Sequence, residues 1–252
     1  MAIHIKTREQ IEKMSVAGEI LAKLDEILKK EVRHGVTTKE LDTIAEEYIR
    51  SQGAIPSFKG YGGFPAAICT SVNDEIVHGI PGERKLKQGD IISIDMGSYI
   101  GGYHADAART YAVGDIAPEA QNLIDVTKQS FFEGIRYAKE GCHLNDIGTA
   151  IQKYVEANGF SVVREYVGHG IGRKLHEDPS IANYKEHRRG VMLKKGMVLA
   201  IEPMVNMGSH QLKVLKDGWT AVTKDGLYAA HYENTVVITN GEPEILTLLH
   251  KR

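Results

Sequence analysis

The sequence predicts an α+β fold in which one helix-then-strand unit is used twice. Three observations carry that prediction. Gly35-(x12)-Tyr48-(x4)-Gly53 recurs 106 residues later as Gly141-(x12)-Tyr154-(x4)-Gly159. Leu86-Lys-Gln-Gly-Asp-Ile-Ile-Ser-Ile-Asp95 recurs 107 residues later as Leu193-Lys-Lys-Gly-Met-Val-Leu-Ala-Ile-Glu202. Helix-capping signals alternate with short β-branched runs, and no low-complexity linker divides the chain. The two matches keep the same order and nearly the same offset. We therefore expect a single domain over 1–252, made of two related halves at approximately 10–125 and 126–250. Asp95 and Glu202 then fall at equivalent positions near a pseudo-twofold axis, where the cleft between halves is a natural ligand site.

The elements follow in order. Thr7-Arg-Glu-Gln10 is a capping box, in which the Thr and Gln side chains satisfy orphan amides. The helix it opens carries Ile11, Met14, Leu21, Leu24 and Leu28 on one face. A second box, Thr37-Thr-Lys-Glu40, opens a helix with Leu41, Ile44 and Tyr48 that Gly53 ends. Strands are expected at Ala66–Val72, Ile91–Met96 and Ala107–Val113, and Pro118 begins a helix running to about Lys139. In the second half, a β-branched stretch leads into Gly168, Glu202 stands at a strand end before Pro203, and Glu233 lies in the strand leading to Val236-Val-Ile-Thr239.

Composition narrows the class. Of 252 residues, 25% are charged and 42% hydrophobic, as in soluble globular proteins. A net charge of −2 gives no electrostatic case for nucleic acid. Cys69 and Cys142 sit in dissimilar settings without CxxC spacing, so a disulfide framework is not expected and a reducing compartment fits. The opening MAIHIKTREQ has no apolar signal core, and no apolar run approaches the roughly 20 residues of a membrane span. A cytoplasmic protein is expected.

Carboxylates and histidines carry the chemistry. An alternating strand ends on Asp95, turns through Gly-Gly and returns with Asp106. If the register opposes these two, they repel unless a cation lies between them. Alone this spacing is a weak signal, since an exposed turn also carries unrelated acids. His169 lies in Gly168-His-Gly-Ile-Gly172, where glycines permit unusual backbone angles and close approach to a ligand. His176 follows in His-Glu-Asp-Pro, a forced loop. Glu202 and Glu233 lie in or beside apolar strands, where an acid is paired or coordinated. Four carboxylates and one histidine form a hard donor set suited to Mn, Fe, Co or Zn. Two bridging carboxylates among them would hold two metals about 3.5–4 Å apart, as in aminopeptidases and phosphatases. His78 and His176 are then available as acid–base groups. These features reach a dinuclear hydrolase without naming its substrate.

Over nearly its full length the chain resembles the type I methionine aminopeptidases. The matching stretches are Ser71-Val-Asn-(x4)-His78-Gly-Ile-Pro81, Ile94-Asp95 through Asp106, Gly168-His-Gly-Ile-Gly172, His176-Glu and Ala200-Ile-Glu-Pro203. The combination is specific where each piece is not. The resemblance implies the pita-bread (creatinase/aminopeptidase) fold, two pseudo-symmetric halves of antiparallel sheet covered by helices. It implies that Asp95 chelates one metal, that Asp106 and Glu233 bridge both, and that His169 and Glu202 complete the other site. It also implies that Glu202 relays the water proton, His176 stabilises the oxyanion and His78 hydrogen-bonds the scissile amide. Tyr61, Phe64, Cys69 and Trp219 would line the methionine pocket.

The implied activity is removal of the initiator methionine from nascent chains, after deformylation, where the second residue is small. Phe58 and Leu175 at the pocket edge and Asn234 after the last glutamate depart from the usual pattern. With no amino-terminal extension and no large insertion, the chain looks bacterial in type, and the likeness suggests a monomer. Two alternatives stand beside this reading. One is an Xaa-Pro peptidase of the same fold, the other a non-catalytic ribosome-associated module. Basic loops at 83–87 and 185–189 are candidate ribosome contacts near the exit tunnel.

Overall fold

The computed structural model describes residues 3–249. Helices α1 (Arg8–Glu31) and α2 (Thr38–Ser51) come first, followed by β1 (Ile55–Pro56), β2 (Ile68–Val72), β3 (Glu75–Val77), β4 (Ile91–Ile100) and β5 (Tyr103–Ala112). Then come α3 (Pro118–Ile135), α4 (Leu144–Ala157), β6 (Ser161–Val162), β7 (Gly168–Gly170), β8 (Glu177–Ile181) and β9 (Val198–Ile201). The chain finishes with β10 (Met204–Asn206), β11 (Leu212–Val214), β12 (Ala221–Thr223), β13 (Ala229–His231), β14 (Glu233–Val237) and β15 (Glu244–Ile245).

Both expected capping boxes form. Thr7 and Thr37 each accept from the amide three residues on, and Gln10 and Glu40 return the contact to the cap backbone. Four elements differ in length from the sequence reading, β2 starting two residues later at Ile68 and β5 four residues earlier at Tyr103. β4 runs on past Met96 to Ile100, because Gly97 does not break the strand: a Cβ there would lie 2.7 Å from the Ser57 and Phe58 side chains. The glycine is an accommodation for close packing. α3 stops at Ile135, short of Lys139, since the chain tightens through i−3 bonds at Tyr137 and Ala138 and Lys139 then bridges to Thr239.

One antiparallel sheet organises the molecule, in the order β1-β4-β5-β14-β9-β7-β8, with β2 added to β4 and β15 to β14. Two three-stranded sheets flank it, β13-β10-β6 and β11-β12-β3. Leu21, Leu24 and Leu28 of α1 and Leu41 and Ile49 of α2 bury against Ile92, Ile94 and Met96 of β4. Leu123 and Phe131 of α3 and Ile147, Ile151 and Val155 of α4 bury against Leu199, Ile201 and Val236. Each helix pair thus covers its own half of the sheet, and the fold is the α+β pita-bread arrangement.

The recurring segments fold alike. Gly35 donates to Leu86 and Gly141 to Leu193, while Leu86 returns a bond to Val36 and Leu193 to Cys142. Gly89 and Gly196 take φ +92° and +88° at matching turns. The turn amide of Gly89 then reaches Val113, and that of Gly196 reaches Ile238.

Candidate metal centre

The strands deliver the acids to one place. β4 and β5 are joined by Gly101 and Gly102, both with positive φ, and Ile100 pairs with Tyr103 across this two-residue turn. In the resulting register Asp95 faces Ala108 and Asp106 faces Gly97. The two acids are therefore diagonal on one face, not directly opposed. Their side chains still meet, and the carboxyl groups come within hydrogen-bonding reach. Glu233 of β14 sits opposite Ala108 and next to both. His169 of β7 pairs with Ala200 of β9, and Glu202 follows that strand directly.

The glycines around His169 have a different reason from the expected one. None of Gly168, Gly170 and Gly172 has positive φ. Instead, a Cβ at Gly168 would collide with the Ala200 carbonyl, and one at Gly170 with the Asp178 carbonyl. The bare backbone lets β7 lie tight between β8 and β9. The segment after His176 also differs, because Glu177–Ile181 is an edge strand and not a loop. An edge position tolerates Pro179.

Asp95, Asp106, His169, Glu202 and Glu233 line one cavity of about 160 Å³, together with His78, His176, Tyr61, Phe64, Cys69 and Trp219. All eleven residues singled out in the sequence thus converge. Phe58 and Leu175 complete the wall. His169 Nε2 lies 3.6 Å from Glu202 Oε1 and 3.9 Å from Asp106 Oδ2. Its Nδ1 lies 2.9 Å from the Gly170 carbonyl, which fixes the proton on Nδ1 and leaves the Nε2 lone pair facing the carboxylates.

The electrostatics are those of a site built for a cation. Burial pushes the Asp95 carboxyl up to about 7. Burial and then neighbouring carboxylates push Asp106, Glu202 and Glu233 well above the usual carboxylate range. Burial pulls His169 and His231 down to about 3, so both imidazoles are neutral. Asp95 Oδ1, Asp106 Oδ1 and Glu233 Oε1 have no hydrogen-bond partner. Anionic oxygens left without partners in a buried cluster are costly, and a divalent cation would satisfy them together. Asp106, His169 and Glu233 offer donor atoms within 4.8 Å of one another, as do Asp95, His231 and Glu233. The donor set fits divalent metal, and Glu233 belongs to both groups.

The remaining side chains shape the approach. His176 Nδ1 is bonded to the Tyr61 hydroxyl at 2.8 Å. Tyr61 is itself 47% exposed, so it stands at the rim and holds His176. His78 occupies φ +61°, rare for a non-glycine residue, and its ring meets Tyr166 and Trp219 edge-on. Phe64 meets Trp219 edge-on and Cys69 is buried beside them. Burial, and then Asp95 across the β2–β4 ladder, push the Cys69 thiol up, so it lines the pocket as an inert apolar group.

Two residues escaped the sequence reading. His231 stands two before Glu233, a spacing that places both on one face of an extended chain. Arg109 reads as a hairpin residue, yet it is 6% exposed and donates to the carbonyls of Ala108, Glu233 and Thr247, to Asn234 Oδ1 and to Asp25. Asn234 points away from the cavity into this clamp, where Thr247 also donates to it.

Known proteins resemble this chain over nearly its whole length. Residues 12–240 match the model of metallopeptidase family M24. A methionine aminopeptidase of Clostridium perfringens is 58% identical over 98% of this chain and 99% of its own, and methionine aminopeptidase 1 of Bacillus subtilis is 56% identical over 96% and 98%. The crystal structure of the Thermotoga maritima methionine aminopeptidase superposes with a TM-score of 0.96 at 46% identity, covering 98% of this chain and 100% of that one. With matches of this extent and a donor set that fits divalent metal, the chain belongs to metallopeptidase family M24 and, within it, to the bacterial type I methionine aminopeptidases.

Proposed function

We propose that this metal-dependent aminopeptidase removes the initiator methionine from nascent proteins whose second residue is small, by hydrolysis at a centre of two divalent cations. Asp95 would hold one cation, His169 and Glu202 the other, and Asp106 and Glu233 would be shared between them. The observation that carries this reading is the shared position of Glu233 in two adjacent donor groups. Bound there, the cations would supply Lewis-acid activation of water and of the scissile carbonyl. Co, Mn, Fe and Zn all suit such donors.

The chain's own groups do the rest. Glu202 accepts the proton of the attacking water and relays it. His176, with Nδ1 committed to Tyr61, presents Nε2 to the developing oxyanion, a contribution of a few kcal/mol per donor. His78 hydrogen-bonds the scissile amide and aids departure of the amine. The substrate's free amino group lies at the Asp95 end of the donor set, which accounts for action at chain termini. Phe64, Cys69 and Trp219, with Tyr61 at the rim, take the methionine side chain, whose burial contributes roughly 2 kcal/mol.

The enzyme acts as a cytoplasmic monomer that docks at the ribosomal exit tunnel through the basic loops 83–87 and 185–189. The residue before the first loop and the last residue of the second are held alike: Lys39 at the start of α2 donates to Gly82, and Asn145 at the start of α4 donates to Arg189. Charge reversal in both loops tests docking, and unchanged co-sedimentation with ribosomes would sink it. For the activity, chelated protein is restored with Mn, Fe or Co and offered Met-Ala-Ser, Ala-Ala-Ser, Gly-Pro-Ala and N-formyl-Met-Ala-Ser. Release of methionine from the first peptide alone is expected. Equal cleavage of Gly-Pro-Ala would move the chain to an Xaa-Pro peptidase, and no release despite bound metal would leave a binding module.

A further inference from the structure

One buried imidazole at the centre has no role in the scheme above. His231 closes β13 and is 2% exposed, yet its Nε2 has no hydrogen-bond partner. A buried polar atom left in this state is costly. The backbone nevertheless fixes it in place. The Thr110 hydroxyl accepts from the His231 amide and donates to the His231 carbonyl, each at 2.9 Å, and Met204 of β10 pairs with the same residue. At Tyr232, whose amide reaches the Pro203 carbonyl at 3.2 Å, the chain leaves the small sheet for the large one. His231 and Glu233 therefore project into the same cluster from two different sheets.

The distances discriminate between roles. His231 Nε2 lies 3.8 Å from Glu233 Oε2 and 3.9 Å from Glu202 Oε2. Both separations are too long for hydrogen bonds. The 3.8 Å to Glu233 suits two atoms that share a cation, since donors about 2.1 Å from one ion lie about 3–4 Å apart across ordinary coordination angles, whereas Glu202 is assigned to the other cation. Asp95, Glu233 and His231 each offer a donor atom, and these lie within 4.8 Å of one another.

We propose that His231 is a sixth donor, binding through Nε2 the cation that Asp95 and Glu233 also hold. This rests on the two-cation reading given above. Each cation then has one imidazole, His169 on one side and His231 on the other. A nitrogen on the Asp95 side favours Co, Fe or Zn over Mn there, because imidazole suits those ions better than an all-oxygen set does.

The test uses the whole chain loaded with two equivalents of Co(II), and counts the paramagnetically shifted, solvent-exchangeable imidazole N–H resonances by proton NMR. Two are expected from the unsubstituted protein and one from His231→Gln. Calorimetric titration of His231→Gln should show one of the two cobalt-binding events weakened by about 10–100-fold, with a smaller change for Mn. Melting of the chelated variant checks folding, and if it fails to fold, the resonance count on the unsubstituted protein decides alone. A single exchangeable resonance at two bound cobalts overturns the proposal while sparing the two-cation centre. Cobalt affinities of a folded His231→Gln within twofold of the original do the same. Binding of fewer than two cobalts overturns the two-cation reading, and this inference with it.

Discussion

Arg109 offers the sharpest test of how the centre is supported. Replacing it with Met keeps the length of the side chain and removes every donor. Three buried carbonyls, of Ala108, Glu233 and Thr247, then lose the guanidinium, while Asn234 Oδ1 keeps Thr247 and Asp25 keeps Tyr111. An orphaned buried acceptor costs about 1–3 kcal/mol, and removing one partner of a buried ion pair about 3–5 kcal/mol. Partial relaxation and entry of water offset some of this, so a loss of about 4 kcal/mol in unfolding free energy is expected. The guanidinium also lowers the Glu233 pKa, so its removal weakens cation binding. Arg109→Lys keeps the charge but cannot reproduce the fork, and should fall between. Urea unfolding of the chelated proteins at pH 7 measures the first effect, and calorimetric titration with Mn the second. A loss below about 1 kcal/mol for Arg109→Met would refute the claim that this residue holds β5, β14 and the carboxy-terminal segment together.

Other predictions follow from single contacts. Tyr61→Phe removes the hydroxyl at His176 Nδ1, and kcat should fall about tenfold, with KM and metal content unchanged. Equal loss in KM would place Tyr61 in substrate binding instead. Gly170→Ala drives a methyl group into the Asp178 carbonyl of the edge strand, and should cost about 1–3 kcal/mol of stability and weaken metal binding through His169; a neutral result in both assays would remove the close-approach argument. The chelated enzyme should lose stability as pH rises above about 6.5. The Asp95 pKa, about 7 in the folded state against an unfolded value near 3.9, contributes stability that is complete below about 4 and lost through 7. His78, at about 4, and His169 and His231, at about 3, act oppositely, but their contribution is complete once pH exceeds about 6.5. Melting temperatures that rise between pH 6.5 and 8.5 in chelator would contradict this.

What the sequence revealed depended on how local each signal was. The capping boxes at Thr7 and Thr37 act within one helical turn, and both form as read. Six of the eleven cavity residues stand in short motifs and Glu233 reads as an acid in an apolar strand, whereas Tyr61, Phe64, Cys69 and Trp219 are reached only through the family resemblance. The register of Asp95 and Asp106 was less so, since it depends on where the hairpin turns, and the Gly101-Gly102 turn sets it diagonal. The glycines of the His169 segment read as backbone freedom and close approach to a ligand, although what meets Gly170 and Gly168 is the carbonyl of a neighbouring strand 8 and 32 residues away. Arg109 gave no signal, because its five acceptors come from four separate stretches of chain. His231 offered only its spacing, two residues before Glu233, while the step between sheets at Tyr232 that brings its ring to the cluster is visible only in the fold.

The position of β14 has a consequence for how the molecule is made. This strand lies between β5 and β9 in space but comes near the end of the chain in synthesis. Until residue 237 has emerged, β5 and β9 each present an open hydrogen-bonding edge, and neither has its neighbour. Such edges invite pairing with other chains. Closing the gap requires contacts between residues more than a hundred positions apart, a slow step for a sheet. A polypeptide halted before Glu233 would be two half-sheets with a seam, prone to self-association, and would have neither the shared carboxylate nor a reason to stay closed around it.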